Sequence, residues 1–409
     1  MIATVRPLLF AFIFFFSFPA MGQYAGWTQL ENFGGTARHR AVGINIGNRG
    51  YMGLGHINAI VDILYDDWWE YDPGSNSWTQ KASFPGGQRM HCSAFSIGAK
   101  GYVGFGRDAN NITHNDLFEY DPLTNTWTQK ASMPGSIRRG AVGMTIGTKG
   151  YVGTGFDGSN DHRDFWEYDP SLNMWTQKMS FPGTRRTSAV GFGIGSKGYL
   201  GTGDDGGPTS DFYEYDPAND TWTMKASVPP VPRMEACGFV LNGFGYIVSG
   251  SDAQSGNCYQ DCWRYDPSLD TWTQVQDFPG AARRYMSSFT IGPRAYTGLG
   301  TSGINYNDFW NYGNLTDVSE EVKERFYVNV FPNPVMSGAM FSIKSDELNF
   351  SEGLDLQLFD MKGCRVRKAE FNGPGFYFER GGLDRGTYLY NIYRSSPCEL
   401  IAAGKLIVQ

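Results

Sequence analysis

A tryptophan recurs along this chain at intervals of 47 to 51 residues, and this internal repeat restricts the fold more than any other feature. An arginine lies eleven residues after each tryptophan. Self-similarity at a fixed period indicates one small structural unit that is copied and stacked, because a single unit of this size buries too little surface alone. The repeat tryptophans are Trp27, Trp78, Trp127, Trp175, Trp222 and Trp272, and the repeat arginines are Arg38, Arg89, Arg138, Arg186, Arg233 and Arg283.

Two further residue types keep the same order in every repeat. A tyrosine stands thirteen residues after each repeat arginine, beginning with Tyr51, and a repeat aspartate follows it. The tyrosine-to-aspartate interval varies from 12 to 16 residues, so the differences in length fall in one loop. The repeat aspartates are Asp67, Asp116, Asp164, Asp211, Asp261 and Asp308.

Short segments with alternating apolar residues separate these positions. One repeat reads "AVGMTIG", "YVGTG", "FWEYD" and "MWTQK", joined by turns that contain Gly, Asp, Pro and Asn. Alternation with a period of two is typical of strands, and those residues are typical of tight turns. Four antiparallel strands per repeat predict one blade of a β-propeller, and six repeats predict six blades.

The repeats resemble kelch repeats in the "YVGTG" and "EYDP" segments, in the tryptophan of the fourth strand and in the loop arginine. The resemblance extends over residues 26–313. It implies an all-β fold in which a six-bladed kelch-type β-propeller makes up the larger part of the chain.

The sixth repeat lacks a tryptophan strand of its own, because Ser319 occupies the position eleven residues after Asp308. The first tryptophan lies in an isolated copy, "GWTQL" at residues 26–30, with no other strand of a repeat before it. An exposed sheet edge is a liability that closure of a ring removes. We therefore expect residues 26–30 to close the propeller as the outer strand of blade six, beside residues 308–312.

Residues 326–409 carry no such repeat and contain six or seven short alternating segments, which predict a small C-terminal β-sandwich. They resemble the type A C-terminal sorting domain of the type IX secretion system of Bacteroidetes-type bacteria. The resemblance implies passage through the periplasm and across the outer membrane, with the type IX machinery as a partner. The matching positions are Pro332, Asn333, Pro334, Gly363, Gly386, Tyr388 and Lys405.

The N-terminus combines Arg6, the apolar stretch "PLLFAFIFFFSF" and the small residues Ala20 and Gly22. This order is typical of a secretory signal peptide, and the stretch is short for a membrane span. An uncleaved membrane anchor is the alternative. The predicted domains are a signal peptide at 1–22, the propeller at 23–316, a linker at 317–325 and the sorting sandwich at 326–409. The product is expected to be secreted or held at the outer-membrane surface, with no transmembrane segment after cleavage.

The formal net charge of −7 at pH 7 argues against a nucleic-acid partner, because no basic patch is present to displace counterions from phosphates. The chain contains 6 Cys, and in an exported protein two pairs, Cys258 with Cys262 and Cys364 with Cys398, are candidates for disulfides. No C-x-x-C motif is present, so a zinc site is not expected.

The repeat arginines and repeat aspartates are predicted to lie at the same end of each blade. There they can form a bidentate, partly buried ion pair. A pair that recurs in all six repeats indicates a structural role, because a ligand seldom needs six identical contacts. The same reasoning assigns the repeat tryptophans to packing between blades.

Binding is expected where the repeats differ, in the loops that lie on one face of the ring. The candidates are Arg107, Asp108, His114, Asp157, His162, Arg163, Asp204, Asp205, Tyr259 and Tyr306. The same face carries His39, His56 and His91 as well, so a metal or pH-sensitive site is an alternative. Asp157, Asp161, Asp204 and Asp205 are candidate Ca²⁺ ligands in glycine-rich loops, although the EF-hand pattern is absent. No other cofactor is expected.

Glu235, Arg139 and Arg284 are candidates for catalysis, because each closely follows a repeat arginine. Sialic-acid mutarotases of the six-bladed kelch class would need an acid–base group of this kind in the central pocket. No Ser-His-Asp arrangement or phosphate-binding loop is present. The sequence favours a module that binds a protein or a glycan over an enzyme, with a mutarotase-type activity as the alternative.

Overall fold

The computed structural model describes residues 25–58, 62–252, 257–314, 327–344, 353–360, 365–394 and 399–409. The chain divides into two units, Met1–Asp317 and Val318–Gln409. The predicted signal peptide at 1–22 and the predicted linker at 317–325 lie outside the described residues. All elements of the described ranges are strands, so the predicted all-β class is confirmed. Within those ranges no helix has the length and apolar character needed to cross a membrane.

The first unit contains 28 short strands, most of them of five residues. They are β1 (Ala25–Gln29), β2 (Val42–Ile46), β3 (Arg49–Gly53), β4 (His56–Ile57), β5 (Ile63–Leu64), β6 (Trp68–Asp72), β7 (Ser77–Lys81), β8 (Arg89–Met90), β9 (Ser93–Ile97), β10 (Lys100–Gly104), β11 (Arg107–Asp108), β12 (Leu117–Asp121), β13 (Thr126–Lys130), β14 (Val142–Ile146), β15 (Lys149–Gly153), β16 (Phe165–Asp169), β17 (Met174–Lys178), β18 (Val190–Ile194), β19 (Lys197–Gly201), β20 (Phe212–Asp216), β21 (Thr221–Lys225), β22 (Cys237–Leu241), β23 (Phe244–Val248), β24 (Cys262–Asp266), β25 (Thr271–Val275), β26 (Ser287–Ile291), β27 (Arg294–Gly298) and β28 (Phe309–Asn314).

These strands form four-stranded antiparallel sheets, one for each repeat of the sequence. The sheets are sheet 1 (β2-β3-β6-β7), sheet 2 (β9-β10-β12-β13), sheet 3 (β14-β15-β16-β17), sheet 4 (β18-β19-β20-β21), sheet 5 (β22-β23-β24-β25) and sheet 6 (β26-β27-β28-β1). The first strand of each sheet contacts the first strand of the next, and β26 contacts β2. Two-stranded pairs, β4-β5 and β8-β11, lie in the loops.

The turn between the first two strands of a sheet requires a left-handed residue. Gly47 has a φ of 59° at this position in sheet 1, and Asn242 has a φ of 53° in sheet 5. Glycine has no Cβ to clash in this conformation, and asparagine tolerates it better than most residues. The turn of sheet 5 therefore has the same geometry with asparagine in place of glycine.

Sheet 6 is completed by the N-terminal strand, as the sequence predicts. β1 pairs antiparallel with β28, and Trp27 lies opposite Tyr312. The Trp27 indole N–H donates to the Gln276 carbonyl at 3.0 Å, and its ring contacts the ring of Phe278 edge-on at 5.3 Å. The pairing of residues 26–30 is therefore confirmed, with the strand itself spanning Ala25–Gln29.

Each of the other repeat tryptophans packs against the preceding sheet. Trp127 of sheet 2, for example, lies edge-on to Trp68 and Phe84, with ring centroids 5.4 and 5.3 Å away. Its indole N–H donates to the Ala82 carbonyl at 2.9 Å, and the Ala82 N–H donates to Asn125 at 2.9 Å. The fixed spacing of the tryptophans thus reflects a contact that joins neighbouring sheets.

The second unit contains seven strands, which agrees with the six or seven predicted. They are β29 (Tyr327–Phe331), β30 (Gly338–Lys344), β31 (Leu354–Phe359), β32 (Arg365–Phe371), β33 (Gly375–Glu379), β34 (Gly386–Arg394) and β35 (Glu399–Val408). They form a three-stranded sheet, β29-β30-β33, and a four-stranded sheet, β32-β31-β34-β35. Phe341 and Phe378 of the first share one buried core with Leu356 and Ile392 of the second.

Two of the four cysteines that are candidates for disulfides lie within the described residues, as do six of the seven positions that match the sorting domain. Cys258 and Cys262 are free thiols, so the first candidate disulfide is absent, and Cys364 and Cys398 lie outside the described residues. Pro332, Asn333 and Pro334 follow β29, Gly386 and Tyr388 begin β34, and Lys405 lies within β35. Gly363 is outside the described residues.

Candidate functional site

Each repeat arginine forms an ion pair with the repeat aspartate of its own repeat. Arg138 is typical: its two terminal nitrogens donate to the two Asp164 carboxylate oxygens at 2.9 and 2.8 Å. It also donates to the Thr154 carbonyl at 3.0 Å. The equivalent pairs are Arg38–Asp67, Arg89–Asp116, Arg186–Asp211, Arg233–Asp261 and Arg283–Asp308.

The arginine side chains of these ion pairs are buried. Arg138 and Arg233 are 0% exposed, so the guanidinium groups are closed to a ligand. Burial by itself raises the pKa of Asp164, but its hydrogen bonds with Arg138 and the charge of that residue lower the pKa below its ordinary value. Each pair joins the loop before the first strand of a sheet to the loop between its second and third strands. This is the bidentate pairing predicted from the sequence.

The residues two positions after the repeat arginines form a closed circle of backbone hydrogen bonds. Each N–H donates to the carbonyl of the equivalent residue one sheet earlier, over 2.8 to 3.4 Å. The five that are not glycine have φ values of 53° to 61°, so each backbone has the same left-handed conformation. This central circle consists of Arg40, His91, Gly140, Ser188, Glu235 and Tyr285.

Small side chains at the start of the first strands line an open cavity next to the central circle. Its volume is about 210 Å³, and residues such as Ala41, Ala141 and Gly191 line it. Cysteine 92 belongs to this wall, and burial raises its pKa to about 12, so its thiol stays protonated. The larger and more polar side chains belong to the central circle and its neighbours.

Glu235 is the carboxylate of the central circle and is 9% exposed. The Tyr285 hydroxyl donates to one of its carboxylate oxygens. Arg284 and the Ser251 hydroxyl both donate to the other oxygen at 2.9 Å. A buried carboxylate with three donors of this kind is held in one orientation.

Tyr285 connects Glu235 to Arg40, the next residue of the circle, and to His91 beyond it. Arg40 donates to its hydroxyl oxygen at 2.7 Å, and the Arg40 guanidinium lies 4.2 Å from the centre of its ring. The His91 ring is 4.9 Å from the Tyr285 ring. Burial raises the pKa of Tyr285, the Arg40 charge lowers it and the Glu235 charge raises it, and the balance keeps the phenol protonated.

Arg139 and Arg107 extend the positive charge of this cluster. The Arg139 guanidinium lies 5.1 Å from the Phe156 ring centre. Burial, and then the charges of Arg107 and Arg40, lower the pKa of Arg139, so the three guanidinium groups are close enough to repel one another. Arg107 is 3.3 Å from Asp62. We call this cluster the mouth: Arg40, His91, Arg107, Arg139, Glu235, Arg284 and Tyr285.

Three histidines lie at the mouth or beside it and are neutral near pH 7. Burial, and then the nearby charges of Arg40 and Arg139, lower the pKa of His91 well below its ordinary value. The His39 and His56 rings are 4.1 Å apart, and burial lowers their pKa values to about 3 and about 4. Among the described residues, no three His, Cys, Asp or Glu side chains are grouped closely enough to hold a metal ion.

The other predicted binding residues lie in the surrounding loops. His114 is 3.2 Å from Asp108, and His162 is 2.9 Å from Asp157. Arg163 is exposed in the same loop as His162, and the Asp204 side chain accepts the Gly206 N–H at 3.1 Å. Of the remaining Ca²⁺ candidates, Asp161 is half-buried and Asp205 accepts a hydrogen bond from Thr184.

Tyr259 and Tyr306 each lie against a repeat arginine. The Arg233 guanidinium is 5.0 Å from the Tyr259 ring centre, and the Arg283 guanidinium is 3.8 Å from that of Tyr306. Part of each aromatic face is therefore used to support an ion pair.

The structure brings the three predicted catalytic candidates, Glu235, Arg139 and Arg284, to the mouth. Sequence reasoning did not select Arg40 and Tyr285 beside them. The signal was present, because the position two residues after the repeat arginines differs in every repeat, whereas the arginine itself is constant.

Comparison with known proteins supports a kelch-type propeller. Residues 103–134 match the kelch motif family model. Among solved structures, the chain is similar to that of YjhT, with 19% sequence identity and a TM-score of 0.58 over 70% of this chain and 99% of that chain. A search of curated proteins gives no match. The all-β fold of the chain is therefore that of a kelch-type β-propeller in its larger unit.

Proposed function

We propose that this chain is a secreted or cell-surface binding module, built as a six-bladed propeller, that receives a carboxylate-bearing sugar of a glycan at the mouth. Each four-stranded sheet of the first unit is one blade in this proposal. A module of this kind presents variable loops on a rigid ring.

The excess of positive charge at the mouth carries the proposal. Within the described ranges, the ion pairs of Arg40, Arg107, Arg139 and Arg284 involve two carboxylates, Glu235 and Asp62, in a chain whose formal net charge is −7. Guanidinium groups prefer carboxylates, which they bind through paired hydrogen bonds. A cluster with this excess of positive charge, next to the central cavity, favours an acidic ligand.

The test is titration of the full chain with N-acetylneuraminate, glucuronate and neutral N-acetylglucosamine, followed by NMR. We expect an acidic sugar to bind at least tenfold more tightly than the neutral one. The variant R139M should lose at least tenfold in affinity for the acidic sugar, because Arg139 supplies charge and has no carboxylate partner in the part of the chain that the structure describes. Equal binding of neutral sugars, or full affinity in R139M, contradicts the proposal.

A second candidate function is catalysed exchange of sugar anomers, and the contact between Glu235 and Tyr285 favours it. A carboxylate can take the proton of the anomeric hydroxyl while a phenol gives a proton to the ring oxygen. The ring C–O bond then breaks, a carbonyl forms, and closure on its other face reverses the proton transfers. Saturation-transfer NMR on the same sugars tests this activity. E235Q should abolish any catalysed exchange, whereas exchange at the uncatalysed rate with the wild-type chain excludes the activity.

Export through a type IX sorting domain is the third part of the proposal. The matching positions at β29, β34 and β35 and the apolar N-terminal segment support it. We infer that the second unit is a β-sandwich, because its two sheets share one core. In a Bacteroidetes-type host, the full chain should reach the medium or the outer surface. A chain ending at residue 325 should remain in the periplasm, and secretion of that truncated chain would contradict the assignment.

A further inference from the structure

A second recess opens between sheets 4 and 5 and shares no lining residue with the mouth. It is an open groove of about 750 Å³. Residues of three loops line it: residues 205–208 between β19 and β20, Val231 and Pro232 between β21 and β22, and Asp252 and Tyr259 between β23 and β24. Its lining residues are Asp205, Gly206, Gly207, Pro208, Val231, Pro232, Asp252 and Tyr259.

The base of the groove is held by backbone hydrogen bonds between the two sheets. The Gly203 N–H donates to the Arg233 carbonyl at 2.9 Å, and the Arg233 N–H donates to the Thr209 carbonyl at 2.9 Å. The Arg233 side chain, paired with Asp261, also lies against the Tyr259 ring. The groove is therefore preformed, which lowers the entropy that a ligand loses by ordering it.

Pro208, Val231 and Pro232 form an apolar part of the wall, and the proline-rich connection that supplies the last two occurs in one repeat only. The connection into sheet 5 reads "SVPPVPR", whereas the connection into sheet 4 reads "SFPGTRR". Val231 is 39% exposed, and Pro232 beside it is exposed as well. Proline and tyrosine walls of fixed shape are suited to an extended peptide, since such a peptide buries side chains on a surface that does not rearrange.

Charge distinguishes this groove from the loops of sheets 2 and 3. Asp108, Asp157 and Asp205 occupy the same position in their loops, two residues after a glycine. Asp108 and Asp157 each lie beside a histidine of the same loop. Asp205 instead accepts a hydrogen bond from the Thr184 hydroxyl at 2.6 Å, and within the described part of the chain it forms no ion pair with lysine or arginine.

The negative potential extends beyond Asp205 itself. Burial, and then the charges of Asp204, Asp157 and Asp205, raise the pKa of Asp161 although His162 lowers it. The aspartates of sheets 3 and 4 therefore interact through space. Several carboxylates therefore lie beside the groove, whereas several guanidinium groups lie at the mouth, so we expect the two sites to prefer ligands of opposite charge.

We propose that the groove binds an extended segment of a partner protein that inserts a lysine or arginine side chain. The aliphatic stem of that side chain lies against Val231 and Pro232, and its cation meets the Asp205 carboxylate near the Tyr259 ring. The volume accommodates more than one side chain, so the peptide backbone continues through the groove. The charge complementarity of Asp205 and the apolar wall together define this partner.

A library of random 12-residue peptides on phage, selected on the immobilised full chain, tests the proposal. We expect at least fivefold enrichment of lysine and arginine at one position of the selected peptides. The most enriched peptide, made synthetically, should lose at least tenfold in affinity when that residue is changed to glutamine. D205N should cause a similar loss, and V231S a smaller one.

The control is D157N, which removes the equivalent carboxylate in sheet 3 and should leave peptide affinity within twofold of the wild type. Thermal unfolding of each variant checks that the fold is retained. Selected peptides without basic enrichment, or full affinity in D205N, overturn the proposal. D205N should still bind acidic sugars as the wild type does, so failure of this groove and failure of the mouth are separate results.

Discussion

Arg138 and Arg139 are adjacent in the chain and have opposite environments. Arg138 is fully buried and donates to Asp164 and to a carbonyl. Arg139 is half-buried, lies against Phe156 and is near other arginines, and it forms no ion pair among the described residues. The first occurs in every repeat and supports the ring, and the second has no counterpart in four of the other five repeats. The residues that recur in every repeat of the first unit therefore stabilise its sheets, and the variable residues that follow them form the mouth.

The largest expected effect on stability comes from deleting the strand that completes sheet 6. Deletion of residues 25–30 removes β1 and leaves the edge of β28 unpaired, so we expect loss of cooperative unfolding and aggregation. Thermal unfolding with light scattering measures both. T28A, at an exposed position of the same strand, is the control and should unfold as the wild type does. An unchanged melting temperature in the deletion would show that β1 does not close the ring.

Replacing each of the two arginines with methionine tests how much each one contributes to stability. R138M leaves the Asp164 carboxylate without its cation and should lower the free energy of unfolding by about 3–5 kcal/mol. R139M removes a charge that is repelled by its neighbours, and should change the free energy by less than about 1 kcal/mol. Urea unfolding measures both values. Equal losses would mean that Arg139 also supports the fold.

The pH dependence of stability should follow Asp164. Its folded pKa is lowered, so its contribution to stability is complete above the unfolded value of about 4 and is lost as pH falls through the folded pKa. D164N lacks this contribution. The difference in unfolding free energy between the wild type and D164N should therefore narrow from pH 7 to pH 3 in urea titrations. A constant difference would contradict the assigned ion pair.

A smaller effect than that of R138M is expected from Tyr285 at the mouth. Y285F removes the hydroxyl that joins Arg40 to Glu235 and should cost about 1–3 kcal/mol, because buried polar groups lose a partner. Y306F, whose hydroxyl pairs with the exposed Ser302, should cost less than about 0.5 kcal/mol. Thermal unfolding compares the two. A larger loss in Y306F than in Y285F would weaken the description of the mouth as one connected network.

Much of the fold could be read from the sequence because its signals are local or periodic. The interval between Trp27 and Arg38 equals that in the other repeats, and this equality predicted the pairing of β1 with β28 across the chain. The Arg–Asp pairs were predicted for the same reason. The C-terminal strand β33 was not among the predicted segments, because its Phe and Tyr residues do not alternate with polar ones.

The candidate site was only partly predictable. Glu235, Arg139 and Arg284 were selected from their position beside repeat arginines, whereas Arg40 and Tyr285 were not. Arg40 lies 245 residues from the Tyr285 hydroxyl that it contacts, and no local pattern connects them. The groove between sheets 4 and 5 was likewise hidden, since its walls come from three loops.

The strands of the repeats and the pairing of "GWTQL" could be predicted, because strand alternation, turn residues and a constant spacing act over short distances or recur. Which variable residues meet depends on contacts between distant parts of the chain. The central circle places one residue from each repeat around a common point, so side chains that are about 50 residues apart or more become neighbours. That convergence, and the opposite charges of the mouth and the groove, depend on the closed arrangement of the sheets.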